Sequence, residues 1–461
     1  MTILARPLTA SALRRDLGLW AVAGVVAGDM LGSGIFFTPG ELAAVAQSPW
    51  HVYVVWALAG GITLCGALTL AELASRLPRA GAPFHIIRES FGPFLAFATI
   101  WMQVWVAGPG SIAGVAIAFG EFVARAGAPF DRWSAPAWGT AGIVFFVAIN
   151  LLGVRWGGRT QIALTTAKVV GLLALVAGSL LLADAVAPSS PPDRSGGDAG
   201  RAIADFIRVV GLGIGAVLYT YDGWIDVSYL SGEVKDPQRH LSRGLGYGVA
   251  GVTLLYILVN VAYLRVLPLE AMRAAPTTVA TDVAKAVFGP TGGALLHALI
   301  ILSIFGAMGG LIMTLPRLYY AAAAEYAAQT TGAAGAIFRA LSIVTPRSAV
   351  PAGSLLLSAA AATIALLFFG TFSRIVNFFV VPLQLNNILL VAAVFQLRRA
   401  TPEGPGYRPP GYPVLPLAYI AVIGFFLVSA IAFRPYETLT GVALTMTAAP
   451  AYWLMFRGEK R

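Results

Sequence analysis

Two short interruptions of apolar sequence hold most of the groups able to bind a polar ligand. The first is Gly28-Asp29-Met30-Leu31-Gly32-Ser33-Gly34-Ile35-Phe36, with an apolar helix-like run from Leu19 to Ala27 before it and another from Phe37 to Ala46 after it. Each run alone is too short to cross a bilayer; together they match a span of ~20 residues. Gly32 and Gly34 sit at the middle, where each disfavours regular helix by ~1 kcal/mol. A helix broken at that depth exposes N–H and C=O groups that hydrocarbon cannot satisfy, so the break must face protein, water or a ligand. The second half-helix would aim its N-terminal amides and the positive end of its dipole at that place, which suits a carboxylate. A glycine-rich helix contact fits the same stretch, because Gly28 and Gly32 have small-xxx-small spacing.

The second interruption is Thr220-Tyr221-Asp222-Gly223-Trp224. Helix-like sequence from Ile203 to Tyr219 precedes it, Ile225–Gly232 resumes, and Glu233-Val234-Lys235-Asp236-Pro237 follows. Corresponding broken spans in two halves of a chain are a pointer to a transporter binding site. One ammonium, Lys168, lies inside Thr165-Thr166-Ala167-Lys168-Val169-Val170-Gly171, with about eight residues of its span before it and about fifteen after. A lysine in that position costs ~2.5–3.5 kcal/mol or more and faces an internal cavity as a rule. The alternative is snorkelling, which needs an interface close by.

These groups must be positioned by membrane helices. The chain has 461 residues, 58% of them hydrophobic and 11% charged, with a mean hydropathy of +0.78. That composition predicts an all-α polytopic membrane protein. Twelve spans are expected, near 17–46, 53–77, 94–125, 135–153, 160–183, 203–231, 243–267, 291–324, 350–369, 373–398, 413–433 and 437–456. If both termini are cytoplasmic, 20 of the 31 basic residues fall in inside segments, so the net charge of +10 reads as positive-inside bias. No basic tract is dense enough to predict nucleic-acid binding. Residues 1–16 are expected to be a cytoplasmic tail with no cleavable leader. Residues 17–183 would form the first half, with five spans. Residues 184–202, rich in Pro, Ser and Gly, would be an extracellular linker. Residues 203–398 would form the second half, and 399–461 two further spans and a short basic tail. Five spans per half make the second half inverted relative to the first.

Weaker signals lie elsewhere. Span three carries Gln103, Gly108, Pro109, Gly110 and Ser111, which fit either a cavity lining or a proline kink with small packing residues. Span eight carries Ser303, Gly306, Gly309, Gly310 and Thr314, and span ten carries Asn377, Gln384, Asn386 and Asn387. Leu77–Gly92 reads as a turn and a short amphipathic helix at the inner surface, and Thr281–Phe288 as a short helix in the outside loop Leu267–Pro290. The single Cys65 excludes an internal disulfide, and the four scattered histidines show no metal-ligand spacing. No cofactor is expected.

Gly32-Ser33-Gly34-Ile35-Phe36, Tyr221-Asp222-Gly223-Trp224 and the Glu233–Pro237 exit, taken together, resemble the amino acid–polyamine–organocation superfamily. Within it, the chain is most similar to bacterial members of the L-type amino acid transporter family. The resemblance covers about 20–456, with further matches at Gly81–Gly92, Thr166-Ala167-Lys168, Asp282–Gly289 and Arg317. It implies the LeuT-like five-plus-five inverted-repeat fold, alternating access at the inner (cytoplasmic) membrane and an amino acid substrate. It also implies that amides at Gly32, Ser33 and Gly34, with the Ser33 hydroxyl, take the substrate carboxylate. Carbonyls near Met30, Tyr219 and Asp222 would take the ammonium, with Thr220 in the same turn. Tyr219 would stand at an aromatic gate. Lys168 would stand in for the sodium ion of coupled relatives.

The chain departs from the pattern at Asp29, acidic where many members are neutral, which opens a cation or proton role there. Ala323-Ala324-Glu325-Tyr326 lacks the usual arginine and glycine. Gly127–Ser134 lacks the cysteine that animal members use to join a glycoprotein, so no disulfide-linked heavy subunit is expected, and the chain should act as a monomer or weak homodimer. The resulting expectation is a sodium-independent amino acid carrier, an exchanger or proton-linked. The alternatives are a non-transporting amino-acid sensor, for which no signalling tail is visible, and a carrier of a polyamine or other amine. A channel would need a continuous pore. An enzyme would need a nucleophile–His–carboxylate set or a metal cluster, and the sequence offers neither.

Overall fold

The computed structural model describes residues 17–78, 81–152, 157–183, 199–345, 350–402, 404, 406–433 and 435–456. The expected tails at 1–16 and 457–461 lie outside the described residues, as do 184–198 of the expected linker.

The helices follow the apolar runs. They are α1 (Leu19–Met30), α2 (Gly34–Val45), α3 (Pro49–Arg76), α4 (Ala82–Phe91), α5 (Pro93–Met102), α6 (Gly108–Ala124), α7 (Ala135–Leu152), α8 (Gly157–Leu181) and α9 (Ala199–Thr220). Then come α10 (Pro237–Val266), α11 (Leu269–Ala274), α12 (Val279–Ala327), α13 (Gly332–Leu341), α14 (Ala352–Phe369), α15 (Phe372–Ala400), α16 (Val414–Phe433), α17 (Pro435–Met446) and α18 (Ala448–Phe456). Among the described residues nine helices are long and apolar enough to cross a membrane, or ten if α1 and α2 count as one span. Two shorter apolar helices, Ala135–Leu151 and Thr166–Leu181, occupy the places expected for spans four and five.

Several spans are less regular than their apolar sequence suggests. α1 and α2 are bent by 48° at Leu31–Ser33, the break expected at the glycines. α9 ends at Thr220, and after a turn the chain resumes as 3-10 helix over Asp226–Glu233. The third span has a π-helical turn at Gln103–Ala107. There the Gln103 carbonyl accepts the Tyr319 hydroxyl at 2.7 Å, and a side chain at Gly108 would collide with that hydroxyl. A Cβ at Gly110 would come within 2.5 Å of Phe379. Both glycines of this stretch are therefore packing sites, while Gln103, Ala107 and Ser111 face cavities. The Thr281–Phe288 helix is part of α12, which kinks at Gly289 where φ is 76°. The last span is two helices meeting at Thr447, and α13 is a short amphipathic helix between the eighth and ninth spans.

Both breaks are clamped to the same scaffold. α10 packs against α1 and α3, and α9 packs against α2 and α3. On the face that carries α4, Leu17 and Val234 form an isolated parallel bridge, and Lys235 N–H donates to Leu17 O at 2.9 Å. Gly81 N–H donates to Tyr229 O at 3.2 Å, joining α4 to the 3-10 segment. On the opposite face Arg273 donates to the carbonyls of Ala43 and Ala46, which satisfies the C-terminal end of α2.

Glu72 anchors the α4 face. Its carboxylate, 1% exposed, accepts two hydrogen bonds from Arg398 at 2.8 and 2.6 Å and one from Arg76 at 2.7 Å. Removing one partner of a buried pair leaves the others uncompensated and costs about 3 kcal/mol or more. Glu72→Ala should lower the thermal midpoint of the detergent-solubilised protein by several degrees. An unchanged midpoint would mean that the cluster behaves as an ordinary exposed ion pair.

Candidate functional site

One cavity lies where the two breaks meet. It encloses about 700 Å³ of empty space, its open mouth included. Its wall contains Asp29, Met30, Gly32, Ser33 and Gly34 from the first break, and Tyr219, Thr220, Asp222 and Gly223 from the second. All seven residues expected to touch substrate line it, with Asp29 beside them. Gly223 is a point of close approach between the breaks. Its φ is 103°, a conformation natural to glycine, and a Cβ there would lie 2.8 Å from the Asp29 carbonyl carbon.

The backbone hydrogen bonds show which groups remain available. Leu31 N–H donates to Ala27 O at 2.9 Å and Gly32 N–H to Met30 O at 2.8 Å. Among the described residues the amides of Ser33 and Gly34 find no acceptor, so these two carry the positive end of α2 into the cavity. The Ser33 hydroxyl, in a residue 1% exposed, likewise has no hydrogen-bond partner. The Gly32 amide, expected to share this role, is already engaged.

Tyr256 was not legible as a site residue. Its hydroxyl donates to Met30 O at 2.6 Å and stands 3.2 Å from Thr220 O, so one side chain on α10 bridges both breaks. With the Gly32 amide and the Tyr256 hydroxyl on it, Met30 O has both lone pairs occupied in this conformation. Tyr219 O accepts the Asp222 N–H at 3.1 Å and keeps one lone pair. The expected ammonium acceptors are thus unequal, and Met30 O is the least available of them.

Lys168 does not line the cavity. It is 2% exposed, and its Nζ donates to Leu31 O at 3.0 Å from behind the break. The ammonium thereby satisfies a carbonyl that the interrupted helix leaves open. Asp29 is close enough to feel its charge.

Aromatic rings close the cavity toward the α11 face. Tyr219 packs edge-on against Phe372 and Phe379, with centroids at 5.3 and 5.9 Å. Phe37 stacks on Phe372 and meets Phe122 edge-on, each at 5.0 Å. Toward the α4 face, by contrast, Ser111, Asp222, Asp226 and Leu311 also line a second cavity that reaches Phe84, Gln103, Tyr229 and Asn386. Of the span-ten amides only Asn386 faces this passage; Gln384 instead accepts from Asn387 and Tyr419 at 3.3 and 3.2 Å, tying α15 to α16. Asp226, too, escaped the sequence reading, although an acidic residue just past a break in an apolar span carries the same signal as Lys168.

The break tolerates no side chain at Gly34. A Cβ there would lie 2.7 Å from Thr220 Cβ and Cγ2, and Thr220 is held by a 2.7 Å hydrogen bond to Thr38. Gly34→Ala should push α2 away from α9 and lower substrate binding at least tenfold in the folded protein; Gly34→Val should abolish it. Normal affinity in a monodisperse Gly34→Ala sample would remove the Ser33–Gly34 amides from the site.

Known proteins place the architecture. The serine/threonine exchanger of Bacillus subtilis (strain 168) is 28% identical over 447 residues, covering 96% of this chain and 97% of that protein. The human b(0,+)-type amino acid transporter 1 is 28% identical over 456 residues, covering 97% and 89%. The human cystine/glutamate transporter is 26% identical over 457 residues, covering 97% and 87%. The amino acid permease family profile matches residues 17–456, and with that match over nearly its whole length the chain belongs to the amino acid permease family of the amino acid–polyamine–organocation superfamily, whose LeuT-like fold its broken helices fit.

Proposed function

We propose that the chain is a secondary transporter that carries L-amino acids across the cytoplasmic membrane by alternating access, without sodium. The observation that carries this reading is the meeting of two broken helices around one cavity, with the unengaged Ser33 and Gly34 amides on its wall. The family is one of permeases, and the relatives named above are amino acid exchangers or transporters. Substrate carboxylate goes to the α2 amides and the Ser33 hydroxyl. Substrate ammonium goes to the second break, at the carbonyls near Tyr219 and Asp222. The aromatic layer around Tyr219 is the outer gate, and the passage past Asp226 opens to the cytoplasm. Both termini are cytoplasmic, and no disulfide-linked subunit is needed, because Cys65 lies inside α3.

Lys168 replaces a coupling sodium. An ammonium donates up to three hydrogen bonds, and one of them reaches Leu31 O. Unlike an ion it stays attached to α8 throughout the cycle. Purified protein in proteoliposomes should therefore exchange amino acids equally well in sodium and in choline buffers. A strict sodium requirement would overturn the assignment of Lys168. Lys168→Ala should cut turnover at least tenfold while leaving a monodisperse protein, and full activity in that variant would reduce Lys168 to packing. Accumulation driven by a pH gradient would mark proton-linked transport, and strict one-for-one counterflow would mark exchange.

Tyr219→Ala opens the aromatic layer. It should slow transport or broaden side-chain selectivity, read as changed counterflow rates across a panel of amino acids. Identical rates for every substrate would leave Tyr219 as ordinary packing.

A further inference from the structure

We infer that the substrate carries a cationic side chain, an ammonium or guanidinium, and that Asp226 is the residue that selects it. This rests on the transporter reading above and concerns the same cavity.

The wall of the cavity is unusually acidic. Asp29, Asp222 and Asp226 all line it, and among the described residues no lysine, arginine or histidine does. The adjoining cavity has Asp222 and Asp226 again and no basic residue. Among the described residues none of these carboxylates makes an ion pair. Nor do they converge as a metal site would, since among the described residues no group of three His, Cys, Asp or Glu side chains is placed to hold a metal ion. Carboxylates on the wall of a cavity that adjoins a second one suit an extended organic cation better than a single ion.

The three charges can be assigned. Asp29 stands in the field of Lys168. Asp222 lies in the turn of the second break, where the substrate ammonium is received. Asp226 remains, and it belongs to both cavities. An amino acid whose carboxylate sits on the Ser33 and Gly34 amides can run its side chain past Asp222 to Asp226. Beyond lies Asn386, whose buried Oδ1 is an acceptor with no partner. Asp29 and Asp222 both act on Asp226 with like charge, and the side chain of lysine or arginine relieves that repulsion where a neutral side chain does not. Diamines offer the cations but no carboxylate, so the α2 amides and the buried Ser33 hydroxyl favour the amino acid.

The test compares arginine with citrulline, its uncharged near-isostere, in counterflow by proteoliposomes of the full chain, with lysine, serine and putrescine alongside. The expected result is arginine and lysine at least tenfold faster than citrulline and serine, with putrescine slow. Asp226→Asn should bring the arginine-to-citrulline ratio close to one, and Asp226→Glu should restore it. Exchange of serine or citrulline as fast as arginine by the parent protein would overturn the inference and leave the transporter reading standing. Counterflow of no amino acid at all would overturn both, and putrescine as the preferred cargo would overturn the amino acid assignment. The parent's substrate ratio decides the matter even if the variants do not fold. An unchanged ratio in folded Asp226→Asn would remove Asp226 as the selecting residue.

Discussion

A peptide group without a partner cannot be left in hydrocarbon, and the centre of this protein is arranged by that constraint. Breaking one helix at Leu31–Ser33 and another after Thr220 frees carbonyls and amides in the middle of the molecule. The structure satisfies most of them from outside the broken segments. Lys168 takes Leu31 O, and Tyr256 serves Met30 O and Thr220 O. Arg273 takes the far end of α2. Among the described residues the Ser33 and Gly34 amides and the Ser33 hydroxyl stay unengaged at the first break, on the wall of the cavity. The three satisfying groups come from α8, α10 and α11, helices that are themselves unbroken, which gives the breaks a fixed reference.

That division explains what could be read in advance. The breaks are local features: glycine and polar residues within apolar runs change the helix where they stand, so both were visible in sequence. Lys168 was visible because a charge in a span is expensive wherever it points. Tyr256 was invisible, because a tyrosine in an apolar helix carries no local sign of its partner, and Met30 lies 226 positions away in the chain. The glycines of the third span could be read two ways, and tertiary contacts decided: Gly108 and Gly110 make room for Tyr319 and Phe379, while Gln103 and Ser111 face cavities. Polar residues in spans divided similarly, with Gln384 bonding helix to helix and Asn386 facing the passage.

The two ends of the cavity differ in kind. Toward α11 it is closed by ring-on-ring contacts among Tyr219, Phe372, Phe37 and Phe122, which have no directional bond to break. Toward α4 the boundary is a second cavity, and farther out the elements are joined by directional contacts: Glu72 with Arg398 and Arg76, Arg88 with Glu325, and the Leu17–Val234 bridge. In an alternating cycle the aromatic side can slide apart at small cost per contact, since offset and edge-on pairs are worth ~0.5–1.5 kcal/mol each. The polar side holds register and must exchange whole hydrogen-bond sets if it is to move.

The position of Lys168 constrains how such a cycle can be driven. A bound sodium ion can leave with the substrate, so its gradient can do work. An ammonium on α8 cannot leave; it can only stay on Leu31 O, swing away, or give up a proton. If it stays charged, the break keeps one geometry whether or not substrate is present, and net movement must come from exchange of one substrate for another. If it gives up a proton, Leu31 O loses its charged donor and the break is free to relax, which ties the proton to the shape of the α2 amides. Asp29, close enough to feel the same charge and lining the cavity, is the group through which substrate could sense that change. With Lys168 in the proposed role, the coupling question reduces to the occupancy of one hydrogen bond, Lys168 Nζ to Leu31 O, in each state of the cycle.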